Sequence, residues 1–126
     1  MFIKWGRRVR AEGITVPIVP GIMPIQTYSS FVRRTKFSET IVPQELTAQL
    51  EAIQDDDKKV REFGTRYVAT MVRKILDADL DIWGVHCYTM NLSRGTEMLL
   101  AELNFLPDAD RVKPCVPAPL HRLSQY

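Results

Sequence analysis

Apolar positions change their spacing several times along this chain, and each change predicts an element. In residues 2–12, Phe2, Ile3, Trp5 and Val9 recur at helical intervals, and Glu12-Gly13 supplies the glycine that commonly follows a helix C-terminus. Residues 15–19 read as a short apolar strand that runs into Pro20, Gly21 and Pro24. The polar and aromatic cluster Gln26, Thr27, Tyr28, Ser29 and Ser30 then opens a short helix through Lys36. Val42-Pro43 marks another helix start, with proline expected in the first turn and Leu46, Leu50 and Ile53 on one face.

The acidic run Asp55-Asp56-Asp57 introduces the longest amphipathic stretch, up to Leu76, because carboxylates cap a helix N-terminus and complement its dipole. Val60, Phe63, Tyr67, Val68, Met71, Val72, Ile75 and Leu76 fall on its core side, with Glu62 and Arg66 expected to pair on the wet side. Residues 82–90 read as a second strand, Asn91 as the turn that closes it, and residues 94–105 as a last helix capped by Ser93. The order strand, helix, strand, helix is that of an α/β protein with parallel strands. In such proteins ligands are held where strands turn into helices.

Both strand exits carry polar or turn-forming residues, and each has two readings. Pro20, Gly21 and Pro24 form either a plain turn or a place where backbone approaches a ligand closely. In the second strand alternate side chains face opposite ways. Tyr88, His86 and Gly84 share one side, while Val85, Cys87 and Thr89 face the helices. Tyr88 is therefore either a ligand contact or a core aromatic with a satisfied hydroxyl. His86 has no Ser, Cys or carboxylate at a motif spacing and reads as a packed residue rather than a base. The Asp55–57 run reads as a cap rather than a metal site, and no metal ligands are expected.

Composition narrows the classes further. The formal charge of +2 conceals a basic first segment, with residues 1–36 at +6 and the remainder at −4. Arg7, Arg8, Arg10, Arg33 and Arg34 alternate with apolar positions at helical spacing, as on a solvated helix face, so no nucleic-acid partner is expected. Cys87 and Cys115 form no CxxC or metal-ligand spacing, which points to reduced thiols. Charges interrupt the amino-terminal stretch where the apolar core of a signal peptide would stand, and no apolar run reaches the roughly 20 residues of a membrane helix. A soluble, cytoplasmic protein without membrane contact is expected.

Five short motifs, in order, resemble the methylenetetrahydrofolate reductase family. Pro17-Ile-Val-Pro-Gly-Ile-Met-Pro-Ile25 resembles the segment at the seventh strand of that family's barrel, and Tyr88-Thr-Met-Asn91 the turn after the eighth. Phe31-Val-Arg-Arg-Thr-Lys36, Ile41-Val-Pro-Gln44 and Ile53-Gln-Asp-Asp-Asp57 fall between them. The detail is most similar to fungal members. Such barrels typically run to about 250 residues. The resemblance thus implies an α/β chain forming the C-terminal fragment of a (β/α)8 TIM barrel, strands 7 and 8 with flanking helices, over residues 1–106. Residues 107–126, with four of the eight prolines, read as an irregular tail. A helix starting at the initiator methionine, with no strand before it, fits a truncated product.

The resemblance also implies a function: flavin-dependent reduction of methylenetetrahydrofolate to methyltetrahydrofolate, with FAD as cofactor and NADPH or NADH as electron donor. The flavin contacts and the acid–base residues are expected upstream, so neither catalytic nor cofactor-binding residues are expected in this chain. What it carries over is part of the folate wall, at Tyr88, Ser30 and Leu92. Ser30 stands where bacterial members have glutamine, and Leu92 where many members have arginine; Arg94 is a nearby cation that would restore the charge. The substrate partner is a folate, and a homo-oligomer is conceivable only for a full-length protein. The other reading is a non-catalytic truncated α/β remnant whose role is association with other chains.

Overall fold

The computed structural model describes residues 1–105, so the stretch read as a Pro-rich tail and Cys115 lie outside the described residues. The first helix, α1 (Phe2–Ala11), ends as its sequence implies. Gly13 takes φ +79°, and the amides of Gly13 and Ile14 donate to the carbonyls of Arg10 and Val9 at 3.0 and 3.3 Å. Two otherwise unpaired helix carbonyls are thereby satisfied, in a conformation glycine adopts without strain. Phe2 and Ile3 pack against the core, whereas Trp5 stays half exposed, tilted against Phe2. Arg10 fastens this helix to the chain around it: its Nε donates to the Leu80 carbonyl at 3.0 Å, and its Nη1 to those of Ile14 and Val16 at 2.8 and 2.9 Å.

Two strands pair in parallel, β1 (Gly21–Ile22) and β2 (His86–Cys87), with Gly21 opposite His86 and Ile22 opposite Cys87. The His86 and Tyr88 amides donate to the carbonyls of Pro20 and Ile22 at 2.9 and 2.8 Å. The parallel arrangement agrees with the sequence reading, but the strands are shorter and the first is displaced. Residues 15–19 are not a strand: Val16 and Val19 are 62% and 63% exposed, and Pro17 and Pro20 have no N–H to donate to a ladder. Likewise residues 82–85 and 88–90 lie outside β2, and Trp83 is 90% exposed. A strand persists only where a neighbour supplies its hydrogen bonds, and here that is two residues on each side.

Between the strands lie α2 (Tyr28–Phe37), α3 (Gln44–Glu51) and α4 (Asp57–Leu76), and α5 (Ser93–Glu102) follows the second. Thr27 caps α2, its hydroxyl accepting the Ser30 amide at 3.2 Å. Asp56 caps α4, one carboxylate oxygen accepting the amides of Lys58 and Lys59, both at 3.1 Å. Pro43 occupies the position just before α3, one residue earlier than a first-turn proline. Ser93 is the first residue of α5 rather than its cap; Leu92 holds that place and offers no side-chain acceptor. Glu62 does not pair with Arg66 and instead lies 4.0 Å from Lys58, one turn back along α4.

The core gathers on one face of α4, where Val60, Gly64, Val68, Val72 and Ile75 are buried at one-turn spacing. Leu46 and Leu50 of α3, Ile22 and Ile25 around β1, Leu80 and Ile82, and Leu99 and Leu103 complete it. The buried stripe is narrower than the apolar pattern of this helix: Phe63 and Tyr67 are half-buried on its flank, and Met71 is exposed. Residue 64 must be small, since a Cβ there would fall 2.6 Å from that of Ile25. α4 packs along α5, and Arg73 donates to the Glu102 carbonyl with the Glu102 carboxylate 3.7 Å away. Among the described residues, no helix is long and apolar enough to cross a membrane.

Candidate functional site

Parallel pairing brings the exits of β1 and β2 to the same end, and there the chain builds its cleft. Tyr88 leaves β2 on the same side as His86, the two rings meeting edge to face at 4.7 Å. Val85 and Cys87 turn the other way, against the core, so the alternation read from the sequence holds. Burial raises the Cys87 thiol above its ordinary pKa, keeping it protonated. The Tyr88 ring lies over Gly21: a Cβ at residue 21 would come within 2.5 Å of Tyr88 Cε2. Glycine at the end of one strand thus seats the aromatic at the end of the other.

Beyond Tyr88 the chain reverses through Met90 and Asn91, both left-handed at φ +51° and +61°. Asparagine tolerates this conformation, whereas methionine is held there at a cost of about 1–2 kcal/mol. The reversal is closed by the Leu92 amide donating to the Thr89 carbonyl at 2.9 Å, and it brings Met90 and Leu92 beside Tyr88. With Met23 after β1, and Arg33, Arg34 and Phe37 from α2, these residues line a cleft of about 790 Å³. That volume lies within the roughly 300–1,000 Å³ of small-molecule sites. Its surface is mostly apolar, with a phenol on one wall and two guanidiniums on another.

Of the three residues singled out in sequence, the fold brings Tyr88 and Leu92 together in this cleft. Ser30 lines an adjoining cavity of about 230 Å³ with Pro24, Phe31 and Tyr67, separated from the cleft by the shared side chains of Met23 and Arg34. The Ser30 hydroxyl donates to the Thr27 carbonyl at 3.0 Å. Arg94 is exposed at the start of α5 and is not among the cleft-lining residues. His86, read from the sequence as a packed residue, is exposed instead, touching the Tyr88 ring edge to face and making no side-chain hydrogen bond among the described residues.

One residue at this end was not separable in sequence from the polar cluster around it. Gln26 is buried, its Nε2 donating to the Leu92 carbonyl at 3.5 Å and its Oε1 accepting from Arg61 Nε at 3.3 Å. It fills the space above Gly95, where a Cβ would lie 2.2 Å from Nε2. Gln26 thereby ties the exit of β1 to α4 and to the turn that carries Leu92. The sequence signal for it is faint: a glutamine directly after the apolar run Met23-Pro24-Ile25, with a glycine in the first turn of a later helix.

A flavin dinucleotide needs open backbone amides for its diphosphate, usually beside glycine. Gly21 at β1 is covered by Tyr88 and Gly95 in α5 by Gln26, so neither glycine offers open backbone to such a group. Among the described residues, no group of three His, Cys, Asp or Glu side chains is placed to hold a metal ion. The acidic run works as a cap instead, and the hydrogen bonds from Lys59, backbone first, hold Asp56 below its ordinary pKa.

The family model for methylenetetrahydrofolate reductase matches residues 1–104. Methylenetetrahydrofolate reductase 2 of Saccharomyces cerevisiae is 45% identical over 106 residues, covering 84% of this chain and 18% of that protein. Methylenetetrahydrofolate reductase 1 of Schizosaccharomyces pombe is 43% identical over 107 residues, covering 85% and 17%. A probable methylenetetrahydrofolate reductase (NADPH) of Caenorhabditis elegans is 40% identical over 114 residues, covering 90% and 17%. The chain spans less than a fifth of the length of these relatives, at 18%, 17% and 17%.

Proposed function

The chain belongs to the methylenetetrahydrofolate reductase family, and we propose that it supplies one wall of the folate site in a reductase forming methyltetrahydrofolate from methylenetetrahydrofolate. In this reading β1 and β2 are the last two strands of a (β/α)8 barrel, and the cleft beside Tyr88 opens on the barrel's mouth. The observation that carries it is the parallel register of Gly21 with His86, which seats the Tyr88 ring at the common strand exit above Leu92 and Met90. Ligands in such folds bind at that end. The Tyr88 ring offers a face for a flat heterocycle or benzoyl group and its hydroxyl a hydrogen bond, while Leu92 and Met90 exclude water on either side. Ser30 contributes from the adjoining cavity, behind the wall formed by Met23 and Arg34.

Reduction itself requires a donor and a hydride carrier. The relatives named in Zea mays and Caenorhabditis elegans specify NADH and NADPH respectively, and either donor, with FAD, is proposed for the complete enzyme. FAD would supply the hydride relay, and the residues beside this cleft do not cradle it; their share is substrate binding and shape. The test is a hybrid in which residues 1–105 replace the matching segment of the Saccharomyces cerevisiae relative. It should retain stoichiometric flavin and form methyltetrahydrofolate. A folded, flavin-loaded hybrid that neither binds nor reduces the folate would refute the reading.

A second reading, a non-catalytic association module, is favoured by one feature. Phe37, Ile41 and Trp83 are 91%, 81% and 90% exposed, and among the described residues each strand has one open edge. Sedimentation of the 126-residue chain separates the two, since the association module must form defined oligomers at micromolar concentration.

A further inference from the structure

The cleft contains more positive charge than its own surroundings use. Arg33 is exposed and Arg34 half-buried, both line the cleft, and neither guanidinium has an ion-pair or hydrogen-bond partner among the described residues. The C-terminal end of α2 favours cations in its last turn. Arg34 and Lys36 both lie in that turn, and of the two only Arg34 lines the cleft. The helix end thus accounts for a cation at residue 34 but not for Arg33, which precedes that turn and lines the same mostly apolar hollow. A ligand that spans this cleft must present an apolar, flat body to Tyr88, Met90 and Leu92 and negative charge to α2.

Resting on the folate reading of the same site, we infer that Arg33 and Arg34 bind the carboxylate end of the folate and set the preference for its anionic glutamate tail. A folate has the required polarity, with a flat pterin and benzoyl portion at one end and the two carboxylates of its glutamate at the other. Guanidinium groups match carboxylates with paired N–H donors, a geometry the single ammonium of lysine cannot reproduce. The tail, not the ring, is therefore what α2 recognises, and additional glutamates on the tail extend along the exposed Arg33 side.

Titration calorimetry of the hybrid enzyme carrying residues 1–105 with 5-methyltetrahydrofolate and with its dimethyl ester tests this, because the ester keeps both ring systems and loses both carboxylates. The free acid should bind roughly tenfold tighter than the diester, the scale of one partly exposed charged contact. Added salt should shrink that ratio. The double variant Arg33→Ala, Arg34→Ala should bring the ratio close to one, and Arg33→Lys, Arg34→Lys should keep part of it. Equal binding of acid and diester by the hybrid with both arginines, or a ratio that salt and the alanine variant leave intact, would overturn the arginine assignment while the folate reading stood. Failure of both compounds to bind would remove the folate reading and this inference with it.

Discussion

Replacing Gly95 by alanine sets two opposed effects against each other, and the geometry decides the sign. Alanine is favoured over glycine within a helix by up to about 1 kcal/mol, less in a first turn. Against this, the new Cβ would lie 2.2, 2.5 and 2.8 Å from Nε2, Cδ and Oε1 of Gln26, so the terminal amide of Gln26 must be displaced. Gln26 is only 5% exposed and is held by Arg61 on one side and the Leu92 carbonyl on the other. Displacing it costs about 1–3 kcal/mol for overpacking and about 1–3 kcal/mol for the buried groups left unpaired. The net expectation is a loss of about 3 kcal/mol. In a Gln26→Ala background the obstacle is gone, and the same substitution should be neutral or stabilising by up to about 1 kcal/mol. Urea denaturation of the four members of this cycle, followed by far-UV circular dichroism, measures the coupling. A Gly95→Ala variant more stable than the parent, or an equal shift in both backgrounds, would refute the role assigned to Gln26.

Three further outcomes follow from the same geometry. In the hybrid enzyme Tyr88→Ala should weaken folate binding by roughly tenfold to a hundredfold, or about 1–3 kcal/mol, at unchanged flavin content, and Tyr88→Phe separates ring from hydroxyl. Joint loss of flavin and structure at unchanged folate affinity per folded molecule would make Tyr88 a packing residue. Leu99→Ala removes a fully buried side chain from the α4–α5 contact and should cost about 2–5 kcal/mol, read from the urea midpoint; a change below about 1 kcal/mol would mean that α5 is not packed as described. Asp56 has its folded pKa below its unfolded value, so its stabilisation is present above the unfolded value of 3.8 and is lost as pH falls through the folded one. Asp56→Asn should therefore flatten the fall in melting temperature below about pH 4, and parallel pH profiles for the two proteins would count against the cap.

Much of the local architecture is legible without the fold because its causes lie within a few residues. The Asp56 cap, the Thr27 helix start and the left-handed Gly13 each depend on hydrogen bonds spanning two to five residues. Two contacts of the same short range depend on choices that nearby sequence leaves open. Glu62 has cations both four residues before it, at Lys58, and four after it, at Arg66, and only side-chain placement selects the first. Ser93 is a good cap by type, yet the chain enters α5 one residue earlier, from the left-handed turn at Met90 and Asn91.

By itself the sequence determined the helices, the parallel order and the facing of Tyr88 with His86, because periodicity and capping are properties of adjacent residues. Tertiary structure alone decided how much of each apolar run becomes strand, since a ladder exists only where another backbone meets its amides, as at Gly21–Ile22 and His86–Cys87. It alone placed Arg33 and Arg34 opposite Tyr88 and left Arg94 outside the cleft, across more than 50 residues of chain. It also turned Gln26 inward, where the missing side chain of Gly95 makes room for it. Those contacts depend on which elements pack together, and no spacing within one element encodes that.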